Sequence, residues 1–195
     1  MMSYDKDYYQ KTGNEYRRYF RHQLVAWARA LYIKFLFNPK TVLDLGCGMG
    51  NLVEMLRRLD IKAYGVDISE YALSQTPEKL KQFCHQGDVL KMSYQNKEFD
   101  VVTTVNILEH IKPADVDKFI VKCARIAKRG IYQEVTVLED KVAIDADPTH
   151  CSKYARDWWL KKFSKLKGWR VKKGPSIPVF KNGIFLLWRE NGNNC

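Results

Sequence analysis

The stretch TVLDLGCGMGNL, residues 41–52, decides how the rest of this sequence is interpreted. Residues 42–45 are typical of a buried strand, and glycines then occupy alternate positions at 46, 48 and 50. Glycine permits a positive φ and lets the backbone approach a ligand closely. An acid at position 44, inside an otherwise apolar strand, would repel a pyrophosphate and attract a positively charged ligand. The turn is therefore predicted to hold a cationic ligand.

The composition is that of an ordinary globular protein. The chain has 195 residues, of which 46% are apolar and 28% charged, and this length suits one domain over residues 1–195. Within it we expect an N-terminal helical segment at 1–38 and a core at 41–195. No apolar run approaches the roughly 18 residues of a membrane span. The five cysteines show no metal-ligand spacing, which favours free thiols and a cytoplasmic location.

Positive charge is concentrated near the end of the chain. The formal net charge is +11, from 33 basic and 22 acidic residues, and the part from Ser152 onward carries +9 of it. Such a skew can attract RNA or another acidic partner. A solvated outer face explains the same pattern, and we favour that interpretation.

Strand and helix patterns alternate along the chain. Strands are predicted at 42–45, 63–68, 83–89, 99–106, 130–138, 168–174 and 183–190. Helices are predicted at 14–37 (one long helix or two short ones), at 50–59 and from 69 to before Pro77. Further helices are predicted at 114–128, stopping at Gly130, and at 152–166, with a loop at 139–150. This order predicts an α/β fold with a Rossmann-like, doubly wound seven-stranded sheet. The sheet should be mostly parallel, with an antiparallel C-terminal edge pair and helices on both faces.

Three acids lie at the same edge of three successive strands. Asp67 ends the second predicted strand, 23 residues after Asp44, and Asp88 follows the third. A single Asp at a strand end is usually a helix cap or a turn residue. Three at one edge of a sheet favour a ligand site, with Asp67 placed to accept both hydroxyls of a ribose. Asn51 breaks the dinucleotide pattern G-x-G-x-x-G, so a cationic nucleoside such as S-adenosylmethionine (SAM) fits better.

The sequence resembles the class I SAM-dependent methyltransferases in VLDLGCGMGNL, YGVDISEYAL, GDVLKMSYQNKEFDVV and NILEHI, which together span residues 41–111. The resemblance implies SAM as cofactor and S-adenosylhomocysteine as product. It further implies that the turn supports the methionine moiety, that Asp67 binds the ribose, and that Asn106 faces the methionine and the transferred methyl group. The cofactor residues implied in full are Asp44, Gly46, Cys47, Gly48, Gly50, Asp67, Ile68, Asp88, Val89 and Asn106.

Candidates for a general base are Glu109, His110 and His150. For Glu109 and His110, an ordering role in the loop after the fourth strand is an equal alternative. His150 lies in DPTHCSKYARDWWLKKF, which resembles the segment after the fifth strand in small bacterial methyltransferases associated with sugar or cell-surface biosynthesis. An imidazole is suited to accept a hydroxyl proton near neutral pH. No metal is predicted, because no array of His, Cys or paired Asp has ligand spacing.

Three functions fit these observations. The favoured one is methyl transfer to a hydroxyl or amine of a small molecule, such as a sugar or a surface-glycan precursor. The alternatives are an RNA or protein methyltransferase, supported by the basic C-terminal region, and a non-catalytic SAM-binding regulator. The tyrosines Tyr4, Tyr8, Tyr9 and Tyr16 suggest a lid over the cofactor, or a plainly packed N-terminal helix.

Overall fold

The computed structural model describes residues 4–11, 19–175 and 183–190. Its seven strands form one sheet in the order β3-β2-β1-β4-β5-β7-β6. Their bounds are β1 Thr41–Leu45, β2 Lys62–Asp67, β3 Cys84–Gln86, β4 Phe99–Val105, β5 Ala127–Val135, β6 Trp169–Lys173 and β7 Gly183–Arg189.

Helices occupy most of the connections between the strands. Their bounds are α1 Lys6–Lys11, α2 Tyr19–Phe37, α3 Asn51–Arg58, α4 Glu70–Ser74, α5 Glu78–Lys81, α6 Val116–Ile126, α7 Lys141–Ala146 and α8 Arg156–Phe163. Two short 3-10 turns, Leu108–His110 and Pro113–Asp115, precede α6. No helix among the described residues is long and apolar enough to cross a membrane.

Strand directions confirm the predicted fold class. β1 pairs with β2, β2 with β3 and β4 with β5 in parallel. β7 lies antiparallel between β5 and β6, so β6 forms one edge of the sheet. The result is a Rossmann-like, mostly parallel sheet with an antiparallel C-terminal pair.

The chain forms two compact units, Met1–Ser93 and Tyr94–Cys195. In the first, α2 packs against α3, and Ile33 and Leu56 are fully buried. In the second, the rings of Phe163 and Phe185 lie 4.9 Å apart, and Trp159 is fully buried beside them. The single domain over residues 1–195 stays a prediction.

Several predicted boundaries were wrong. β5 begins at Ala127 and ends at Val135, where a strand at 130–138 was expected, and α6 ends at Ile126. Ala127 already has an extended backbone, with φ −74° and ψ 132°, so the helix ends without using Gly130. The expected loop at 139–150 contains α7. The expected strand at 83–89 has three residues, because Asp88 folds back to accept a hydrogen bond from the Leu90 amide.

Candidate functional site

The glycine turn after β1 adopts a backbone that favours glycine at all three positions. Gly46, Gly48 and Gly50 have φ values of 79°, 53° and 81°, in the left-handed region that other L-residues rarely occupy. The amides of Gly46 and Cys47 both donate to the Val66 carbonyl, at 2.7 and 3.0 Å, which ties the turn to β2. A Cβ atom on Gly48 would meet no atom within 4 Å. The turn is thus fixed from one side and leaves open space at Gly48.

Asp67 connects the end of β2 to this turn. Its Oδ2 accepts a hydrogen bond from the Gly48 amide at 2.7 Å, and its Oδ1 accepts one from the Ser69 amide at 2.8 Å. Burial raises the pKa of the Asp67 carboxyl, while these backbone bonds act in the opposite direction. A carboxylate offers about four acceptor positions, so two backbone bonds leave it able to accept hydroxyl hydrogens as well.

Cys47 fills the space behind the turn. A hydrogen bond with the Cys84 thiol, together with burial, raises the pKa of Cys47. Gly65 lies opposite Asp44 on one side and Cys84 on the other. An added Cβ at Gly65 would stand 2.6 Å from the Cys47 sulfur. Gly65 therefore makes room for the Cys47 side chain, which lets the turn lie close to β2.

The N-terminal segment contacts the same region of the first unit. Ser69 Oγ donates to the Tyr4 carbonyl at 2.5 Å and accepts from the Ala72 amide, so it also caps α4. Tyr9 forms a hydrogen bond with the Ser69 side chain. Burial, and then the nearby Asp67 carboxylate, raise the pKa of Tyr9. The Tyr9 ring lies 5.6 Å from that of Tyr71. Tyr16 is outside the described residues.

The other predicted cofactor residues differ in their surroundings. Asp44 is buried in β1, and Ile68, directly after Asp67, is 41% exposed despite its apolar side chain. The Asp88 carboxylate accepts from the Leu90 amide and lies 3.6 Å from Lys91 Nζ, and Val89 is half-buried. Asn106 is exposed and has a φ of 54°. Their contacts with SAM stay predictions.

Glu109 is built into the interior of the second unit. Its Oε1 accepts from the Thr136 amide at 3.0 Å, and its backbone carbonyl accepts from the amides of Cys151 and Ser152. Burial raises the pKa of Glu109 to about 7, and its Oε2 has no hydrogen-bond partner among the described residues. These contacts hold the segment after His150 against the turn after β4.

His110 belongs to a hydrogen-bonded chain in the second unit. The Thr149 hydroxyl lies 2.8 Å from His110 Nδ1 and 2.6 Å from Asp147 Oδ1, which also accepts from the Thr149 amide. Burial, and then the neighbouring His150, lower the pKa of His110 to about 4. His110 is therefore a neutral imidazole near neutral pH.

His150 lies beside His110. The centroids of the two rings are 4.8 Å apart, and His150 Nδ1 lies 3.0 Å from the Ile144 carbonyl at the end of α7. The structure thus brings together two of the predicted catalytic residues. Asp147 and Thr149, which also belong to the segment DPTH and have no predicted role, complete the hydrogen-bonded chain.

The glycine turn follows the first strand of a Rossmann-like sheet, and its Gly48 amide is bound by the Asp67 carboxylate. This arrangement is the basis for assigning the class of protein. Residues 42–130 match the family model described as "Methyltransferase domain". Within these residues, which make up just under half of the chain, the predicted class I SAM-dependent methyltransferase family and its cofactor, SAM, are confirmed.

Individual relatives cover parts of the chain. A ubiquinone biosynthesis O-methyltransferase of Chelativorans sp. (strain BNC1) is 32% identical over 99 residues, which make up 48% of this chain and 38% of that protein. Ajmaline N-methyltransferase of Rauvolfia serpentina is 33% identical over 102 residues, 48% of this chain and 34% of that protein. The chain thus aligns with well under half the length of these relatives.

The fold extends further than the sequence similarity. The structure of magnesium protoporphyrin IX methyltransferase from Synechocystis PCC 6803 with bound SAH has a TM-score of 0.69 and 18% identity, over 95% of this chain and 98% of that one. Similarity at this level of identity concerns the fold alone.

Proposed function

We propose that this chain transfers the methyl group of SAM to a hydroxyl or amine of a small molecule. The observation that carries the proposal is the bond between the Gly48 amide and the Asp67 carboxylate. It places a buried anion beside an open glycine turn, which suits a ligand with a ribose and positive charge and without phosphate. The exposed Ile68 side chain next to Asp67 offers an apolar surface for the adenine.

The rate of this reaction depends more on alignment of the acceptor with the methyl group than on chemical activation of the acceptor. A lone pair of the acceptor attacks the methyl carbon, the carbon–sulfur bond breaks, and its electrons remain on the sulfur of S-adenosylhomocysteine. Because the sulfonium is already a good leaving group, alignment of the reactants supplies much of the rate. The acceptor loses one proton, and His150 as its general base stays a prediction. Glu109 is better explained as an organiser of the loop, since its carboxylate and carbonyl both bind backbone amides.

A small-molecule acceptor is supported by the relatives. Their names include an O-methyltransferase of ubiquinone biosynthesis and an N-methyltransferase of ajmaline, so both oxygen and nitrogen acceptors occur among similar proteins. Neither name refers to a sugar or a surface glycan, and that narrower prediction still awaits support.

The first experiment measures SAM binding by calorimetry in the wild type and in Asp67→Asn. We expect affinity to fall by about 5- to 150-fold, since the variant removes a charged acceptor of the ribose hydroxyls at a cost of about 1–3 kcal/mol. Asp60→Asn is the matched control. Asp60 is exposed and has a φ of 61°, which Asn tolerates. Unchanged affinity in Asp67→Asn, or tighter binding of a nicotinamide cofactor than of SAM, would contradict the proposal.

The second experiment tests methyl transfer. The protein is incubated with methyl-labelled SAM and a cell extract freed of protein and RNA, and labelled products are identified by mass spectrometry. We expect a labelled small molecule together with S-adenosylhomocysteine. Label found only in RNA or protein fractions of the same extract would contradict a small-molecule acceptor. SAM binding without transfer to any fraction would favour a regulator.

A further inference from the structure

Three side chains of the second unit bring metal-ligating atoms together. One such atom from each of His110, Asp147 and His150 lies within 4.8 Å of the other two. The Asp147 side chain is buried, and both imidazoles are half-buried. Two imidazoles and one carboxylate make a donor set typical of zinc and other first-row divalent ions.

Hydrogen bonds fix how each imidazole is protonated. A carbonyl oxygen can only accept, so His150 Nδ1 must donate to the Ile144 carbonyl. The Thr149 hydroxyl donates its one hydrogen to Asp147 Oδ1, so it accepts from His110 Nδ1. Both rings therefore carry their hydrogen on Nδ1 and keep the lone pair on Nε2.

The same bonds match the outer contacts of known metal sites. A histidine that ligates a metal usually donates its other ring N–H to a carbonyl or, directly or through another group, to a carboxylate. His150 does the first, and His110 reaches the Asp147 carboxylate through Thr149. The Asp147 carboxylate is held in turn by the Thr149 amide at 2.8 Å. These contacts restrict both rings and the carboxylate, which lowers the entropy lost when the three side chains are ordered around an ion.

We propose that His110, Asp147 and His150 bind a first-row divalent metal ion, with Zn²⁺ the best match to their chemistry. Tetrahedral coordination with bonds of about 2.1 Å puts ligand atoms about 3.4 Å apart, so binding the ion requires the ligand atoms to approach one another by at most about 1.4 Å. Three protein ligands leave one position for water or an oxygen atom of a small molecule, which the ion would orient and polarise.

The sequence alone predicted no metal. His110 lies in the turn after β4, whereas Asp147 and His150 follow α7, so the spacing resembles no metal motif. Tertiary structure produces the proximity. The proposal concerns metal binding itself and does not depend on methyl transfer. It is an alternative to the general-base role predicted for His150, because a ring nitrogen that binds a metal cannot also accept a proton.

The test uses protein freed of metal by a chelator and then titrated with Co²⁺ and Zn²⁺. Co²⁺ binding is followed by visible absorption, which reports the ligands, and Zn²⁺ binding by calorimetry. We expect one ion per chain. His110→Gln, His150→Gln and Asp147→Asn should each weaken binding by about 100-fold or more. Asp147→Asn retains an oxygen that can accept from Thr149, so this variant keeps the local turn.

Matched controls separate this site from adventitious binding. His85→Gln changes an exposed histidine in the first unit, and Asp145→Asn changes an exposed carboxylate paired with Lys153. Both should bind within about twofold of the wild type. Cys151→Ser tests the exposed thiol beside the site. Circular dichroism of every variant confirms that it is folded.

The proposal is overturned if neither ion binds in a 1:1 ratio. It also fails if binding survives the changes at positions 110, 147 and 150, or if only Cys151→Ser abolishes it.

Discussion

Gly48 is the residue at which the effect of backbone strain on stability can be distinguished from the effect of a side chain on SAM binding. It has a φ of 53°, and an added Cβ would meet nothing within 4 Å. Gly168, remote in sequence from every predicted cofactor residue, has a φ of 73° and equally open surroundings. Alanine at either position meets the same left-handed backbone penalty of about 1–2 kcal/mol. Only at Gly48 would the methyl group enter the space proposed for the methionine of SAM.

We therefore expect Gly48→Ala and Gly168→Ala to lower the melting temperature by similar amounts, about 2–8 °C. SAM affinity, measured by calorimetry, should fall at least about tenfold in Gly48→Ala, because a buried clash of one methyl group costs more than about 1 kcal/mol. It should be unchanged in Gly168→Ala. Equal SAM affinity in the two variants would show that the turn does not contact the cofactor.

Among single residues, those with a local signal are the easiest to single out. Asp67 ends a strand at a fixed distance after a glycine turn, and the structure places its carboxylate on the Gly48 amide, while its contact with a ribose stays a prediction. Asp147 and Thr149 carry no such signal. Their importance comes from His110, which is distant in sequence and close in space. Contacts of this kind depend on tertiary structure, which residue spacing does not encode.

Among the elements, α1 has the clearest bearing on the cofactor site of the first unit. Tyr9 hydrogen-bonds to the Ser69 side chain, and the Ser69 hydroxyl itself donates to the Tyr4 carbonyl. Ser69, the residue that both contacts share, lies two positions after Asp67, which is proposed to bind the ribose. These contacts fit both predictions for the N-terminal segment, a lid over the cofactor and a plainly packed helix.

We expect Tyr9→Phe to raise the dissociation rate constant of SAM by about 2- to 10-fold, because one hydrogen bond contributes about 0.5–1.5 kcal/mol. Stopped-flow displacement with S-adenosylhomocysteine measures this rate. Tyr8→Phe is the control, because it removes the same group from the neighbouring residue of the same helix. If both variants release SAM at the wild-type rate, α1 packs against the first unit without acting as a lid.

Elements also differ in how well the sequence predicts them. Buried parallel strands such as β1, β2 and β4 stand out as apolar runs, and their bounds agree with expectation to within one residue. The short helices α5 and α7 were not predicted, because four to six residues give too little periodicity. The predicted end of α6 was wrong, because Gly130 is a typical helix stop signal whereas the strand already starts at Ala127.

At the scale of the whole molecule, the net charge of +11 is the feature that the proposed chemistry does not use. Part of the basic C-terminal region is engaged within the second unit. Lys162 pairs with Asp117 at 2.8 Å and Lys173 with Asp157 at 2.6 Å. Arg189 donates to the carbonyls of Ala124 and Ala127. These basic side chains pair with groups of the second unit itself, so an acidic partner is not required to explain them. The pairing therefore favours the interpretation of the region as a solvated outer face.

The lysines Lys165, Lys167 and Lys172 are exposed and can be reversed in sign together. If the acceptor is a small molecule, the triple Lys→Glu variant should keep its turnover within about twofold, because exposed charges beyond a Debye length of about 8 Å are screened at physiological salt.

If the acceptor is RNA, the triple variant should instead lose RNA affinity and turnover. Each lost phosphate contact would lower the salt dependence of binding, the log–log slope changing by about 0.7. Two measurements on the same preparations decide whether the positive charge binds RNA. They are turnover on the labelled small molecule and RNA affinity at two salt concentrations. A variant that fails on small molecule and RNA alike, while still binding SAM, would place these lysines in the acceptor site itself.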